Sequence, residues 1–316
     1  MKIFIKMIVG IIIVLVLLIG IFAFLTWAPD RPVSELKARW APAPSVFIKV
    51  SGMDVHLRDQ GPRNDAAPIV LLHGTSSSLH TWEGWVGALK DKRRVISFDM
   101  PGFGLTGPSP DNVYIIESYT RFVMAVMDKL KVKRFVLGGN SFGGRVSWVT
   151  ALKHPERVEK LVLVDSSGYT LRSTSVPIGF RIARIPVLNR LAAQILPRSL
   201  IESSVKNVYG DPGKITPELI DRYFAITVRE GNRRALVARF KQAPSGVLAN
   251  RIPELKVPTL IIWGGRDRLI LPESAHRFKR DIAGSQLALF DDLGHVPQEE
   301  DPARTVAAVK KFLNIR

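Results

Sequence analysis

The apolar positions divide this chain into three unequal parts. From Ile8 to Trp27 twenty residues run without a charge, long enough as a helix to cross the roughly 30 Å hydrocarbon core of a bilayer. Lys2 and Lys6 precede the run, and Trp27 closes it as an interfacial aromatic would. A cleaved signal peptide would have a shorter apolar region, and Thr26-Trp27-Ala28 is a poor small-x-small site. The expectation is therefore an uncleaved single-pass anchor over residues 1–27. Arg31, Lys37 and Arg39 nearly balance the two lysines and the terminal amine. The short basic tail still favours a cytoplasmic N-terminus with the rest of the chain exported. Residues 28–44 carry Pro29, Pro32, Pro42 and Pro44 with little apolar periodicity. They read as a linker spanning at most about 50 Å when extended.

The second part has the short periods of a sheet. Val46, Ile48 and Val50 alternate on one strand and Met53, Val55 and Leu57 on the next, with Ser51-Gly52 as the hairpin turn. Residues 68–72, 94–98, 135–137, 161–164, 258–263 and 286–290 are apolar or β-branched runs of the kind that fill parallel strands covered on both faces. Helical spacing lies between them, as in Ile116, Tyr119, Val123, Val126 and Leu130. Asp301-Pro302 starts a last helix, with aspartate as N-cap and proline at the first helical position. Strands alternating with helices predict an α/β fold with a mostly parallel sheet over residues 45–316.

The third part interrupts that rhythm. Residues 169–252 have no strand pattern; Thr216-Pro217 and Asn232 are helix starts, and Pro186 and Pro197 are breaks. An insertion between two parallel strands lies at their carboxyl ends, where a helical lid would cover a site. This segment holds fourteen Lys or Arg against five Asp or Glu, +9 of the formal +17 of the whole chain. Arg181, Arg184 and Arg190 stand beside Ile182, Ile185 and Leu188, which predicts either an ordinary lid helix, apolar stripe inward and basic face solvated, or a lid face resting on anionic lipid. No zinc-finger, RRM or P-loop spacing accompanies the charge, which argues against nucleic acid as the partner.

The chain has no cysteine, so its chemistry rests on oxygen and imidazole. Gly139-Asn140-Ser141-Phe142-Gly143 follows an apolar strand and precedes a helix. A strained strand-to-helix turn needs small residues around a serine, and it leaves the hydroxyl above a helix N-terminus, ready to attack a carbonyl. A serine hydroxyl needs an imidazole to take its proton, and the imidazole needs an acid to fix its tautomer. Of six histidines, His56, His80, His154 and His276 read as structural or exposed, and His73 as a loop-holding residue. His295 follows the last strand and is the candidate base. Asp267, just past the strand ending at Trp263, is the candidate acid, with Asp165 at the end of the preceding strand as the alternative. The backbone N–H groups of Thr75 and Phe142 are the candidate oxyanion donors. These roles require neither a metal nor a cofactor.

From about Val46 to Phe312 the chain resembles the α/β-hydrolase-fold hydrolases with a helical lid. The likeness rests on HGT, DMPGFG, GNSFGG, WGGRDR and GHVPQEE in that order, and the order Ser141, Asp267, His295 is that of the family's triad. A serine nucleophile argues against the epoxide hydrolases and haloalkane dehalogenases, which use aspartate. GNSFGG is similar to the elbow of the meta-cleavage-product carbon–carbon hydrolases, but those have methionine where Phe142 stands and usually tryptophan where Val296 stands. The resemblance thus implies a serine esterase or lipase acting on a small-molecule or lipid ester. Carbon–carbon hydrolysis and a non-catalytic membrane-tethered binding protein are the alternatives.

Overall fold

The computed structural model describes residues 2–185, 188 and 194–315. Eight strands form one sheet in the order β1-β2-β4-β3-β5-β6-β7-β8. The hairpin of β1 (Val46–Val50) and β2 (Met53–Gln60) turns through Ser51 and Gly52, both at positive φ, which matches the twist of antiparallel strands. β3 (Ile69–Leu72), β4 (Val95–Phe98), β5 (Phe135–Asn140), β6 (Val158–Val164), β7 (Thr259–Gly264) and β8 (Gln286–Phe290) run parallel to one another. In β3, Val70 and Leu72 face a core that includes Tyr119, Val123 and Val126, whereas Ile69 and Leu71 face Trp85, Leu89 and Val309 on the other side. β7 divides likewise, Ile261 and Trp263 to the first core and Leu260 and Ile262 to the second. Burial on both faces is why these runs lack polar alternation.

At the N-terminus, α1 (Lys2–Leu25) contains an apolar stretch, Phe4–Leu25, long and apolar enough to cross a membrane, and none of that stretch is buried in the protein. The stretch expected to be a linker is part of the fold instead. A short helix, α2 (Val33–Trp40), buries Leu36 and Trp40 against Leu105 and Ala225. The Trp40 carbonyl accepts a hydrogen bond from His80 Nε2 at 2.8 Å, and Asp30 pairs with Arg233 at 2.6 Å. Prolines at 32 and 42 bracket a helix too short for its periodicity to stand out in the sequence. Removing residues 2–25 is therefore expected to leave a folded catalytic domain, whereas removal through Trp40 is expected to yield aggregate. The longer cut exposes the surface under Leu36 and Trp40, each burial contributing about 2–3 kcal/mol, and strips Asp30 from Arg233. Size-exclusion chromatography of the two truncations checks this; a monodisperse, active product of the longer cut would contradict it.

Between β6 and β7 the lid contains α6 (Ile178–Arg184), α7 (Arg198–Val208), α8 (Pro217–Val228) and α9 (Asn232–Gln242). Thr216 caps α8 by accepting from the Leu219 N–H. Helix α6 ends at Arg184 with Ile185 extended, so Ile182 and Ile185 do not share one helix face. Arg181 and Arg184 are exposed; Arg190 lies outside the described residues. The lid joins the end of α1 directly: the Ala28 N–H donates to the Gln194 carbonyl and the Leu196 N–H to the Thr26 carbonyl, at 2.8 and 2.9 Å.

Candidate active site

Ser141 stands between β5 and α5 (Phe142–Lys153) with φ 55° and ψ −115°, a conformation that a residue with a side chain adopts only under constraint. Its N–H donates to the Val164 carbonyl at 2.9 Å, and its carbonyl accepts from the N–H groups of Arg145 and Ser167. The constraint also explains the glycines around it: a Cβ on Gly139 would overlap the Gly143 carbonyl, and one on Gly143 the Leu72 carbonyl. Strand, serine and helix can approach only with hydrogen at those positions.

His295 lies in the loop after β8 and Asp267 in the loop after β7. The Asp267 carboxylate can only accept, so His295 Nδ1 carries the hydrogen and donates to Oδ2 at 2.6 Å. That tautomer leaves Nε2 with its lone pair. The other carboxylate oxygen of Asp267 accepts from the Leu269 and Ile270 N–H groups at 2.8 and 2.9 Å. The two loops are fastened to each other by Gly265 N–H to the Phe290 carbonyl and Arg266 N–H to the Leu293 carbonyl. Arg266 and Arg268 bond to lid carbonyls, of Gly210 and of Lys206 and Asn207, and leave Asp267 to the histidine. Ser141 Oγ makes no hydrogen bond among the described residues; it and His295 border one cavity, and such contacts often tighten only when substrate is bound.

Gly74 and Thr75 line that same cavity. No described acceptor takes the Thr75 N–H, and the Phe142 N–H, first of its helix, has no carbonyl a turn earlier to meet. Both donors are thus unused. His73 behaves as the loop-holding residue expected: Nδ1 donates to the Gly74 carbonyl at 2.7 Å and Nε2 accepts the Met100 N–H at 3.0 Å. Burial keeps its pKa below the usual imidazole value, so this ring stays neutral.

The cavity holds about 150 Å³ and continues under the lid, lined by Phe180, Leu196, Leu200, Val205, Leu236 and Val296 among others. Leu196 is also the residue whose N–H bonds the end of the apolar helix, so the cavity wall and α1 share one short segment.

Two contributors escaped the sequence reading. Asn140, the variable position of the elbow, donates through Nδ2 to the carbonyls of His295 and Val164 at 2.9 and 3.2 Å, tying the base to the nucleophile's strand. Glu300 accepts the N–H groups of Gly294, Gly210 and Asp211 at 2.8 to 2.9 Å, fastening the histidine loop to the lid. Both lie inside quoted motifs, but nothing in their spacing names their partners. A second serine–imidazole–carboxylate chain also exists, Ser45 Oγ to His56 Nε2 at 2.9 Å and His56 Nδ1 to Asp99 Oδ2 at 2.8 Å. There Arg58 Nε donates to the same hydroxyl at 2.9 Å, and Asp99 also accepts the Leu79 and Leu105 N–H groups at 2.7 Å. This chain braces β2 against the loops around Asp99 and His80.

A strained serine at a strand-to-helix turn, a histidine after the last strand and an aspartate after the one before it, all at the carboxyl edge of a mostly parallel sheet, define an α/β-hydrolase. The model of the alpha/beta hydrolase fold family matches residues 67–302, and the chain belongs to that family. A 2-hydroxymuconate semialdehyde hydrolase of Pseudomonas sp. (strain CF600) is 30% identical over 275 residues, covering 84% of this chain and 92% of that one. Among solved structures, a meta-cleavage product hydrolase from Pseudomonas fluorescens IP01 superposes with a TM-score of 0.73 at 25% identity, over 86% of this chain and 97% of its own. A membrane phospholipase A, described as a bacterial virulence factor, shares the fold with a TM-score of 0.74 at 22% identity, over 99% of this chain and 98% of its own.

Proposed function

We propose that this hydrolase is a membrane-anchored serine esterase that cleaves carboxylic esters of lipid acyl chains through an acyl-enzyme. The observation that carries the reading is the cavity: an apolar space with Ser141 and His295 at its wall and with Leu196, bonded to the end of α1, in its lining. His295 Nε2 takes the Ser141 proton as the hydroxyl attacks, and Asp267 stabilises the imidazolium. The Thr75 and Phe142 N–H groups receive the oxyanion, each donor contributing on the order of a hundred- to a thousandfold in rate. His295 then protonates the departing alcohol and activates the water that releases the acid. In this reading α1 crosses the membrane, with its basic end cytoplasmic and the catalytic domain outside. The exposed Ile185 and Leu188, beside Arg181 and Arg184, rest against anionic headgroups.

Carbon–carbon hydrolysis of a hydroxy-oxo-dienoate is the second reading, favoured by the named activities of the relatives. Such a substrate brings a carboxylate into the site, and burying it requires a cation. The cation among the described lining residues is Arg233, which already pairs with Asp30. Esters of graded chain length, presented in neutral and anionic vesicles beside a vinylogous diketone, distinguish the two. Long-chain esters in anionic vesicles are expected to turn over fastest, and Arg181→Gln with Arg184→Gln to lessen that preference. Cleavage of the diketone above every ester would overturn the ester assignment.

A further inference from the structure

Behind Asp267 lies a second carboxyl group that the proposed acyl-transfer cycle does not use. Asp165 ends β6 at φ 42° and is wholly buried. Its N–H donates to the Ile262 carbonyl at 3.0 Å, and Oδ1 accepts the Gly264 N–H at 3.0 Å. Oδ2 is buried without a hydrogen-bond partner. One oxygen of Asp165, one of Asp267 and one ring nitrogen of His295 lie within 4.8 Å of one another. Glu300, also acidic, adds a further repulsive charge near Asp165. An ionised Asp165 would therefore present a bare, desolvated oxygen to a second carboxylate.

We propose that Asp165 keeps its proton at neutral pH and donates it to the Asp267 carboxylate, acting as a positioning residue for the acid of the triad. Asp267 is well supplied to remain the anion of the pair, since it already accepts two N–H bonds and the His295 ring. Burial first, and the Asp267 charge second, push the Asp165 carboxyl well above the ordinary carboxylate range. A donor from behind spreads the charge on Asp267 and fixes the plane of its carboxylate toward Nδ1. It also moderates the pull of Asp267 on a His295 proton, so the base stays free at lower pH.

The kinetic part of this inference rests on the triad reading above; the proton itself can be observed without it. In full-length protein in detergent, labelled with ¹³C-carboxyl aspartate, isotope-edited infrared spectra at neutral pH should show the carbonyl stretch of a protonated aspartic acid. Asp165→Asn should remove it. Its absence from the wild-type protein, or its persistence in Asp165→Asn, overturns the proposal. The wild-type spectrum alone decides if the variant does not fold. In a folded Asp165→Ala the donor is lost and Asp267 pulls harder on the His295 proton, so the acid limb of kcat/KM is expected to move up. Asp165→Asn, whose amide donates and accepts as the neutral acid does, is expected to restore it; a limb that Asp165→Ala leaves in place overturns the positioning role. If Asp165 were ionised, either substitution would remove a negative charge near His295 and move that limb down by about one pH unit or more. A protein that hydrolyses no ester yet shows the band would refute the esterase reading and leave the shared proton standing.

Discussion

Ser141→Ala is expected to lower kcat on carboxylic esters about a millionfold, and His295→Ala by about as much, with little change in substrate binding. The two act as a unit: without the hydroxyl there is nothing for the imidazole to deprotonate, and without the imidazole the hydroxyl stays protonated. Combining them should therefore add almost nothing to either loss. The residual rate over water would come from the cavity and from the unused N–H groups of Thr75 and Phe142. The measurement is single-turnover ester hydrolysis together with labelling by a fluorophosphonate, which mimics the tetrahedral intermediate. Ser45 supplies a control within the same molecule, because it also bonds an imidazole that bonds a carboxylate. Ser45→Ala should leave labelling intact. Label that survives Ser141→Ala and disappears in Ser45→Ala would place the nucleophile at the other chain.

Asp267→Asn is expected to cost about ten-thousandfold in kcat, and the bonds around the carboxylate explain why the loss is so large for one atom. Oδ1 accepts two backbone N–H groups, from Leu269 and Ile270. In the asparagine variant the amide oxygen must occupy that place, since the amide nitrogen there would oppose two donors. The NH₂ group then faces His295 Nδ1, which has to become an acceptor. Its hydrogen moves to Nε2, the nitrogen required to receive the Ser141 proton. The substitution thus removes the base by reversing its tautomer while the packing stays intact. Thermal unfolding near the wild-type temperature, alongside the kinetic loss, would separate this from misfolding. A loss below about a hundredfold, with a greater one in Asp165→Asn, would move the acid's role to Asp165.

Much of the fold was legible because its signals are local. Parallel strands covered on both faces must be apolar throughout, the helices between them must repeat every 3.6 residues, and Ser51-Gly52, Thr216-Pro217 and Asp301-Pro302 carry their own turn and cap chemistry. The elbow was legible for the same reason: three backbones converge around Ser141, and glycine is what lets them. The order of Ser141, Asp267 and His295 could be read because each follows the end of a strand, and the ends of parallel strands lie along one edge of the sheet.

Tertiary structure decided what depended on distance. Asp165 and Asp267 both stand at strand ends, and only the fold shows that His295 Nδ1 meets Asp267 while Asp165 lies behind it with one oxygen bare. Asn140 and Glu300 sit within recognisable motifs, yet their partners are carbonyl and N–H groups of remote loops, which no side-chain pattern encodes. Residues 28–44 show the same limit in reverse. Their prolines suggested a tether, but Leu36 and Trp40 make one apolar face of a two-turn helix. A helix that short takes its stability from the surface it covers, and that surface is assembled from Leu105 and the lid residue Ala225, far away in the sequence.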